Sequence, residues 1–336
     1  MLHLKYAEFY ITNVCNLACT NCNRLNNYKF NGFQLWKDYE QIYTDWSKCV
    51  GIETIHILGG EPTLNPSFKQ WCIGLRKLWP DATINVISNG TRLEYIDNFY
   101  NFSSDNKIGW IITAHDRKRY NPLYQYVSNL MTKPISKKYL GNFDNWPNVY
   151  NAIKDLSWPE CTSVDDFYIL PEHIQNECTQ IHKIDPDSYL MNSNGIVLHD
   201  SNNIKIELSY AEDFVTAPLK YSGDNKFEVY DSIPEEAHSV CMSRNCHHFI
   251  KGKLYKCHHV ALLPEFMQQY SVDISDSDKE LLEQYTPGEI KWSNERLSEF
   301  IDNLKNPIDQ CKLCPSNLVL SPPNGTQKKP SIKKLN

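Results

Sequence analysis

"EFYITNVCNLACTNC", from Glu8 to Cys22, decides how the rest of the chain is read. Its first half alternates and branches as a strand does and delivers Cys15 into the loop that follows. Its second half spaces Cys15, Cys19 and Cys22 as CxxxCxxC, so one looped segment wraps three thiolates about a small inorganic core. Thiolates are soft donors that suit zinc, Cu(I) or iron and sulfur. A zinc site would call for a fourth Cys or His at short range, and the candidates are His3 and His56. A [4Fe-4S] cluster on three cysteines instead leaves one iron open for a small chelating ligand.

Outward from this stretch the pattern alternates. An apolar stripe of Trp36, Tyr39, Ile42, Tyr43 and Trp46 predicts a helix from Leu35 to about Cys49. Then come a strand "TIHIL" (Thr54 to Leu58), the turn "GGEPTLNP", and a helix through Phe68, Trp71, Leu75 and Leu78. A strand "TINVIS" (Thr83 to Ser88), a helix over Leu93 to Phe99 and a buried strand from Ile108 to Thr113 follow. Such alternation indicates an α/β fold with parallel strands and crossover helices, either a doubly wound sheet or a full or partial barrel. Ligands gather at the C-terminal strand ends of both. Here those ends carry Cys15, the Gly59-Gly60-Glu61 turn, Ser88-Asn89-Gly90 and His115-Asp116. Beyond Met131, prolines interrupt short segments; "DDFYIL" (Asp165 to Leu170), "IKIELS" (Ile204 to Ser209) and "KFEVYDS" (Lys226 to Ser232) read as strands or extended connectors.

The composition is globular, 41% hydrophobic and 22% charged over 336 residues, which fits one large domain or a catalytic domain with an appendage. A formal charge of -6 supplies no global attraction to nucleic acid or an anionic membrane. The run "KKPSIKK" (Lys328 to Lys334) reads as a solvated tail. The first residues lack a signal-peptide pattern and no apolar run reaches 18 residues, so a cytoplasmic protein without membrane contact is expected. In that compartment thiols stay reduced, and twelve cysteines are metal ligands sooner than disulfides.

A second set of cysteines lies at Cys241, Cys246, Cys257, Cys311 and Cys314 and ends in a CxxC pair. "HHFI" and "KLYKC" flank Lys251-Gly252 as a hairpin would, and helices are expected over Ala261 to Gln269 and Asn294 to Leu304. By spacing alone this set suits structural zinc or a second iron-sulfur cluster.

"CNLACTNC", followed by "GGEPTLNP" at Gly59 to Pro66 and "ISNGT" at Ile87 to Thr91, resembles the radical S-adenosylmethionine (radical SAM) superfamily. The resemblance implies a partial (β/α)6 barrel in which Cys15, Cys19 and Cys22 hold a [4Fe-4S] cluster whose open iron is chelated by the methionine part of SAM. Gly59, Gly60 and Glu61 match the motif whose backbone meets the methionine amino group, and Ser88 and Asn89 match the strand end that meets the ribose. The family usually has an aromatic residue before the third cysteine; here it is Asn21, which leaves the adenine to other groups such as Tyr10 or backbone near Ile153. The second set resembles the opening of SPASM and twitch extensions. With no cysteine after Cys314 the shorter twitch type fits, one auxiliary [4Fe-4S] cluster on Cys241, Cys257, Cys311 and Cys314, with Cys246 as spare or as a replacement for Cys241. The implied division is a barrel over 1–235, an auxiliary cluster domain over 236–322 and a tail over 323–336.

The implied chemistry is one-electron cleavage of SAM to methionine and a 5'-deoxyadenosyl radical that abstracts hydrogen from a substrate carbon, with a flavodoxin or ferredoxin-type electron donor. A fully ligated auxiliary cluster favours electron transfer over substrate coordination, so oxidation and rearrangement of the substrate both stay open. His115 and Asp116 are the first candidates to touch substrate, because they end an apolar strand where ligands collect; a capping Asp with a half-buried His is the bland alternative. Arg117, Lys118 and Arg119 suit a phosphate or carboxylate, or a solvated helix start. Cys161 and Cys178 are candidate hydrogen donors or inert buried thiols, and His258 and His259 a shell around Cys257. The expected substrate is a small polar metabolite or nucleotide. The alternatives are a peptide or protein substrate, or a cysteine-rich zinc or iron-sulfur module that binds nucleic acid without catalysis.

Overall fold

The computed structural model describes residues 1–19, 22–26, 30–115, 117–132, 135–140, 195–210, 219–221, 227–241 and 243–317. Asn21, Asp116, Ile153, Cys161, Cys178, "DDFYIL" and the 323–336 tail lie outside them. By packing, residues 1–97 and 212–336 form one unit and 98–211 another.

In the first unit, β1 (Leu2–Tyr10), α1 (Trp36–Cys49), β2 (Val50–Leu58), α2 (Phe68–Leu78) and β3 (Thr83–Ser88) alternate as expected. β1 pairs in parallel with β2, Tyr10 opposite Leu58, and β2 with β3, Ile57 opposite Val86. α1 runs without a loop into β2, which starts earlier than Thr54 because Val50 and Ile52 are buried, branched residues suited to a strand. One face of β1 sends Phe9 into an aromatic core with Tyr43 of α1 and Trp79, at ring separations of 5.2 and 5.5 Å. The other face carries Tyr6, Glu8 and Tyr10.

The expected helix over Leu93 to Phe99 is a correction. Leu93–Tyr95 form a single 3-10 turn, Ile96 is extended, and Asn98 takes a left-handed φ of 53° before α3 (Phe99–Asp105) begins. Asn is among the few residues that enter this region readily, and the break keeps Leu93, Ile96 and Phe99 all buried without a continuous helix. In the second unit α3 is followed by β4 (Ile108–Ala114), α4 (Arg117–Leu130), β5 (Ile135–Leu140), β6 (Gly195–Asp200) and β7 (Lys205–Tyr210). β4 pairs in parallel with β7, while β7, β6 and β5 are antiparallel neighbours. "IKIELS" is thus a strand, and Trp110 of β4 donates to Ser103 Oγ of α3 at 2.9 Å.

The remaining elements return to the first unit. β8 (Lys220–Tyr221) and β9 (Phe227–Glu228) pair antiparallel, so "KFEVYDS" contributes only two residues to a strand. α5 (Pro234–Val240), β10 (His248–Ile250), β11 (Lys253–Tyr255), α6 (His258–Met267), β12 (Val272–Asp273), α7 (Asp276–Glu283) and α8 (Asn294–Asn303) follow. β10 pairs in parallel with the free side of β1, Glu8 opposite His248 and Phe9 opposite Phe249, whose rings stack at 4.9 Å. β10 and β11 form the expected hairpin. Its turn has positive φ at both Lys251 (50°) and Gly252 (76°), the backbone a two-residue hairpin of this twist requires. Trp46 Nε1 donates to Gly252 O at 2.9 Å and Gly252 N to Tyr43 OH at 3.1 Å, which ties α1 to the turn. α6 packs Leu262, Leu263 and Phe266 into one apolar cluster with Tyr10, Leu25 and Leu58. Both units are therefore mixed α/β with parallel strands, the class expected.

Candidate metal centres

The loop after β1 is clamped from two sides. Ile11 N, Gly60 N and Glu61 N donate to Leu58 O, Thr12 O and Val14 O, each at 2.8 Å, so the end of β2 pairs directly with the segment leading to Cys15. From the other side Asn13 N donates to Gly32 O at 2.9 Å. Buried amides fasten the joint: Asn65 Nδ2 donates to Ile11 O and Gln34 O at 2.7 and 2.8 Å, Asn26 Nδ2 to Asn13 O at 2.6 Å, and Gln34 Nε2 to Tyr10 O. Such buried polar groups persist because each has a partner.

The two glycines of the turn answer to packing. A Cβ on Gly59 would lie 2.3 Å from Thr12 O, and one on Gly60 2.3 Å from Val14 O and 2.9 Å from Cys15 Cβ. The amides of Gly60 and Glu61 are engaged by the loop, so a ligand amino group, itself a donor, would have to meet carbonyl oxygens of this turn. Glu61 is 0% exposed and joins strand ends: its carboxylate accepts from Thr63 N and Oγ1, Ser88 Oγ (2.9 Å) and Asn89 N (2.8 Å). Burial pushes its carboxyl up, and these donors oppose the shift. Asn89 Nδ2 in turn donates to Asn16 Oδ1 at 3.0 Å and lies 3.9 Å from Cys15 Sγ. Cys15, the Gly-Gly-Glu turn, Ser88 and Asn89 are thereby brought together.

The three thiols share one neighbourhood. Cys19 is pushed up to about 12, first by burial and then by Cys22 and Cys15. Thiols that resist ionising beside one another are suited to a positive centre that takes all of them as thiolates. Neither histidine supplies a fourth ligand: His3 Nε2 pairs with Glu53 at 3.3 Å, and His56 is hydrogen-bonded to Tyr6 OH (2.8 Å) and Asn85 (3.3 Å). Tyr10 is 1% exposed, with its ring in the apolar core and its OH accepting from Asn26 at 3.2 Å. His115 closes β4 in the second unit, and Asp116 lies outside the described residues.

The second set of cysteines surrounds a cavity. Cys241 follows α5, Cys257 stands at the N-cap of α6, and Cys311 and Cys314 come from the 3-10 turn Asp309–Leu313 and its end. All four line a cavity that is partly open to solvent. Burial is the first cause that raises each thiol, Cys257 to about 12, and in Cys257, Cys311 and Cys314 the other cysteines add to it. Cys246 is absent from the lining; it too is pushed up to about 12, by burial and then by Glu8. Spacing left Cys241 and Cys246 interchangeable, but the backbone sends them to different neighbours. Among the described residues, no three His, Cys, Asp or Glu converge on one ion-sized position. A cluster asks for a wider arrangement, since each thiolate takes its own iron.

Sequence reasoning missed a buried charge cluster between these two regions. Glu8 accepts from Tyr6 OH at 2.5 Å and from Arg24 Nη2 at 3.2 Å, and its Oε2 lies 2.5 Å from His248 Nε2. His248 Nδ1 faces Cys246 O at 2.9 Å. The advance signal was a Glu set between the apolar Ala7 and Phe9 of a strand.

Burial also holds nearby histidines neutral: His247 and His259 fall to about 4, and His258 well below its ordinary value. These groups protonate more readily in the unfolded chain, so the folded state loses stability as pH drops from about 6.5 toward 4. Urea unfolding of the iron-free chain should show a loss of about 2 kcal/mol per such histidine between pH 7 and pH 5. Equal stability at the two pH values would contradict this.

Residues 9–140 match the family model described as the radical SAM superfamily. A GTP 3',8-cyclase of Klebsiella pneumoniae subsp. pneumoniae is 33% identical over 93 residues, 26% of this chain and 28% of the relative's own length. The chain thus aligns with little more than a quarter of that relative. Among solved structures, BtrN in complex with AdoMet and 2-DOIA is similar at a TM-score of 0.41 and 14% identity, over 93% of this chain and 92% of that one. Streptococcus suis SuiB bound to its precursor peptide SuiA is similar at 0.41 and 14%, over 94% and 70%. No helix among the described residues is long and apolar enough to cross a membrane.

Proposed function

We propose that the chain is a radical SAM enzyme that acts on a small polar metabolite or nucleotide with the help of one auxiliary [4Fe-4S] cluster. The observation that carries the reading is the clamped loop: Cys15, Cys19 and Cys22 stand beside the Gly59-Gly60-Glu61 turn and the Ser88-Asn89 strand end, inside the segment that matches the superfamily. The donor set fits a three-cysteine cluster at this loop and a four-cysteine cluster in the cavity. When bound, the first cluster and SAM supply reductive cleavage to methionine and a 5'-deoxyadenosyl radical.

The chain's own residues do the rest. Gly59 and Gly60 let the cysteine loop lie against the end of β2, and Glu61 locks that end to β3. Carbonyl oxygens of the turn would receive the methionine amino group, and the Ser88-Asn89 end would meet the ribose. Cys241, Cys257, Cys311 and Cys314 hold the auxiliary cluster, with Cys246 turned toward Glu8. His115 and Asp116 remain the residues proposed to face substrate, and a flavodoxin or ferredoxin-type protein the electron donor. The curated relative's name is that of an enzyme acting on a nucleotide, which agrees with the proposed substrate class.

Anaerobically reconstituted chain should contain about eight iron and release 5'-deoxyadenosine with dithionite and SAM. Replacing Cys15, Cys19 and Cys22 together with Ala should leave about four iron and no release. About four iron in the parent chain would remove the auxiliary cluster from the reading, and no SAM cleavage would remove the activity. Tight binding of a carrier peptide in calorimetry would move the substrate class to peptides.

A further inference from the structure

The four-cysteine cavity holds more than thiols. Lys256 lines it and is 3% exposed. Its Nζ donates to Arg244 O at 3.1 Å and Leu304 O, and lies 3.3 Å from His238 Nε2. Burial lowers the His238 imidazole, so all three partners are neutral. No carboxylate among the described residues pairs with Lys256; burial lowers its ammonium, and Cys257, Cys311 and Cys241 oppose that shift. His259, 5% exposed, lines the same cavity, and its Nε2 is buried with no hydrogen-bond partner. A buried ammonium without an anion and a buried imidazole nitrogen without a partner are both unfavourable by themselves. Both are accounted for by an anionic group in the cavity that accepts hydrogen bonds.

We propose that Lys256 and His259 set the reduction potential of the auxiliary iron-sulfur centre, the ammonium by its charge and His259 by donating a hydrogen bond from Nε2 to a sulfur. The inference rests on the reading that Cys241, Cys257, Cys311 and Cys314 hold a cluster. Four thiolates make such a centre negative, and reduction adds one more negative charge. Buried positive charge and donated hydrogen bonds therefore favour the reduced state and raise the potential. Both residues act through the centre and are positioning residues. A centre poised in this way takes up an electron more readily than one surrounded by apolar side chains.

The test is an anaerobic dithionite titration of the reconstituted full chain, followed by electron paramagnetic resonance. The same titration of the Cys15→Ala, Cys19→Ala, Cys22→Ala chain assigns the auxiliary signal. In Lys256→Gln the ratio of reduced to oxidised centre at a fixed potential should fall at least about tenfold, which is 59 mV for a one-electron couple. Lys256→Arg should restore most of it, and His259→Phe should move it in the same direction as Lys256→Gln. Unmoved midpoints in Lys256→Gln and His259→Phe, with iron retained, overturn the proposal. Loss of iron in Lys256→Gln but not in Lys256→Arg supports the need for charge. If both lose iron, the His259→Phe midpoint decides: a lowered one supports the proposal and an unchanged one overturns it. A triple-alanine chain that holds no iron refutes the four-cysteine reading itself, a result distinct from an unmoved potential.

Discussion

Gly60→Ala is expected to reduce SAM cleavage by about a hundredfold, because displacing reacting groups by about 1 Å is enough for a loss of that order. The added methyl would meet Val14 O at 2.3 Å and Val14 C at 2.6 Å, which are backbone atoms with no rotamer to change. Relief requires breaking the hydrogen bonds of Gly60 N and Glu61 N to Thr12 O and Val14 O, and these fix the approach to Cys15. Under the proposed two-cluster reading, iron content should fall from about eight toward about four per chain, the remainder held by Cys241, Cys257, Cys311 and Cys314. Gly51→Ala is the matched control: its Cβ would find Met1 Sδ at 3.5 Å and His3 Cδ2 at 3.7 Å, ordinary contact distances. Full SAM cleavage in Gly60→Ala would show that the clamp does not hold the loop.

Glu8→Gln should cost about 3–5 kcal/mol in urea unfolding, the range for removing one partner of a buried ion pair. That is a large part of the roughly 5–15 kcal/mol that holds a typical domain folded. Burial raises the Glu8 carboxyl, but His248 and then Arg24 hold it well below the ordinary carboxylate range. Its contribution is therefore complete above the ordinary carboxylate value and fades only as pH falls through the lower folded value. Glu8→Gln with Arg24→Met should recover part of the loss, since one stranded charge is removed with its partner. A single-variant cost within about 0.5 kcal/mol would place Glu8 among ordinary surface substitutions.

The parts of this molecule legible in its sequence are those written at short range. CxxxCxxC, the Gly-Gly-Glu turn and the Trp36-Tyr43-Trp46 stripe each carry their meaning within a dozen residues, and the strands and helices around them are of the expected kind and order, with β2 four residues longer at its start. Leu93, Ile96 and Phe99 have helical spacing, but a turn, a left-handed Asn98 and a new helix bury them equally well; period alone does not separate the two solutions. The partner of β1 on its far side was not legible, because alternation says which face of a strand is buried and nothing about which strand lies alongside. Glu8, Arg24 and His248 were hidden for the same reason, since pairing of β1 with β10 is what makes them neighbours. That pairing also places Cys246, two residues before His248, beside Glu8, which is why spacing could not choose between Cys241 and Cys246.

The insertion of β10 beside β1 has a consequence for synthesis. While the ribosome has made only the first part of the chain, β1 is an edge with unpaired amides and carbonyls, a template for sticking to other chains. It is covered only after His248–Ile250 has emerged, so the sheet closes through a contact of very long sequence separation, the kind that forms slowly. A nascent chain stalled before residue 248 should be captured by chaperones or aggregate, and the same chain extended past the Lys253–Tyr255 hairpin strand should be released soluble.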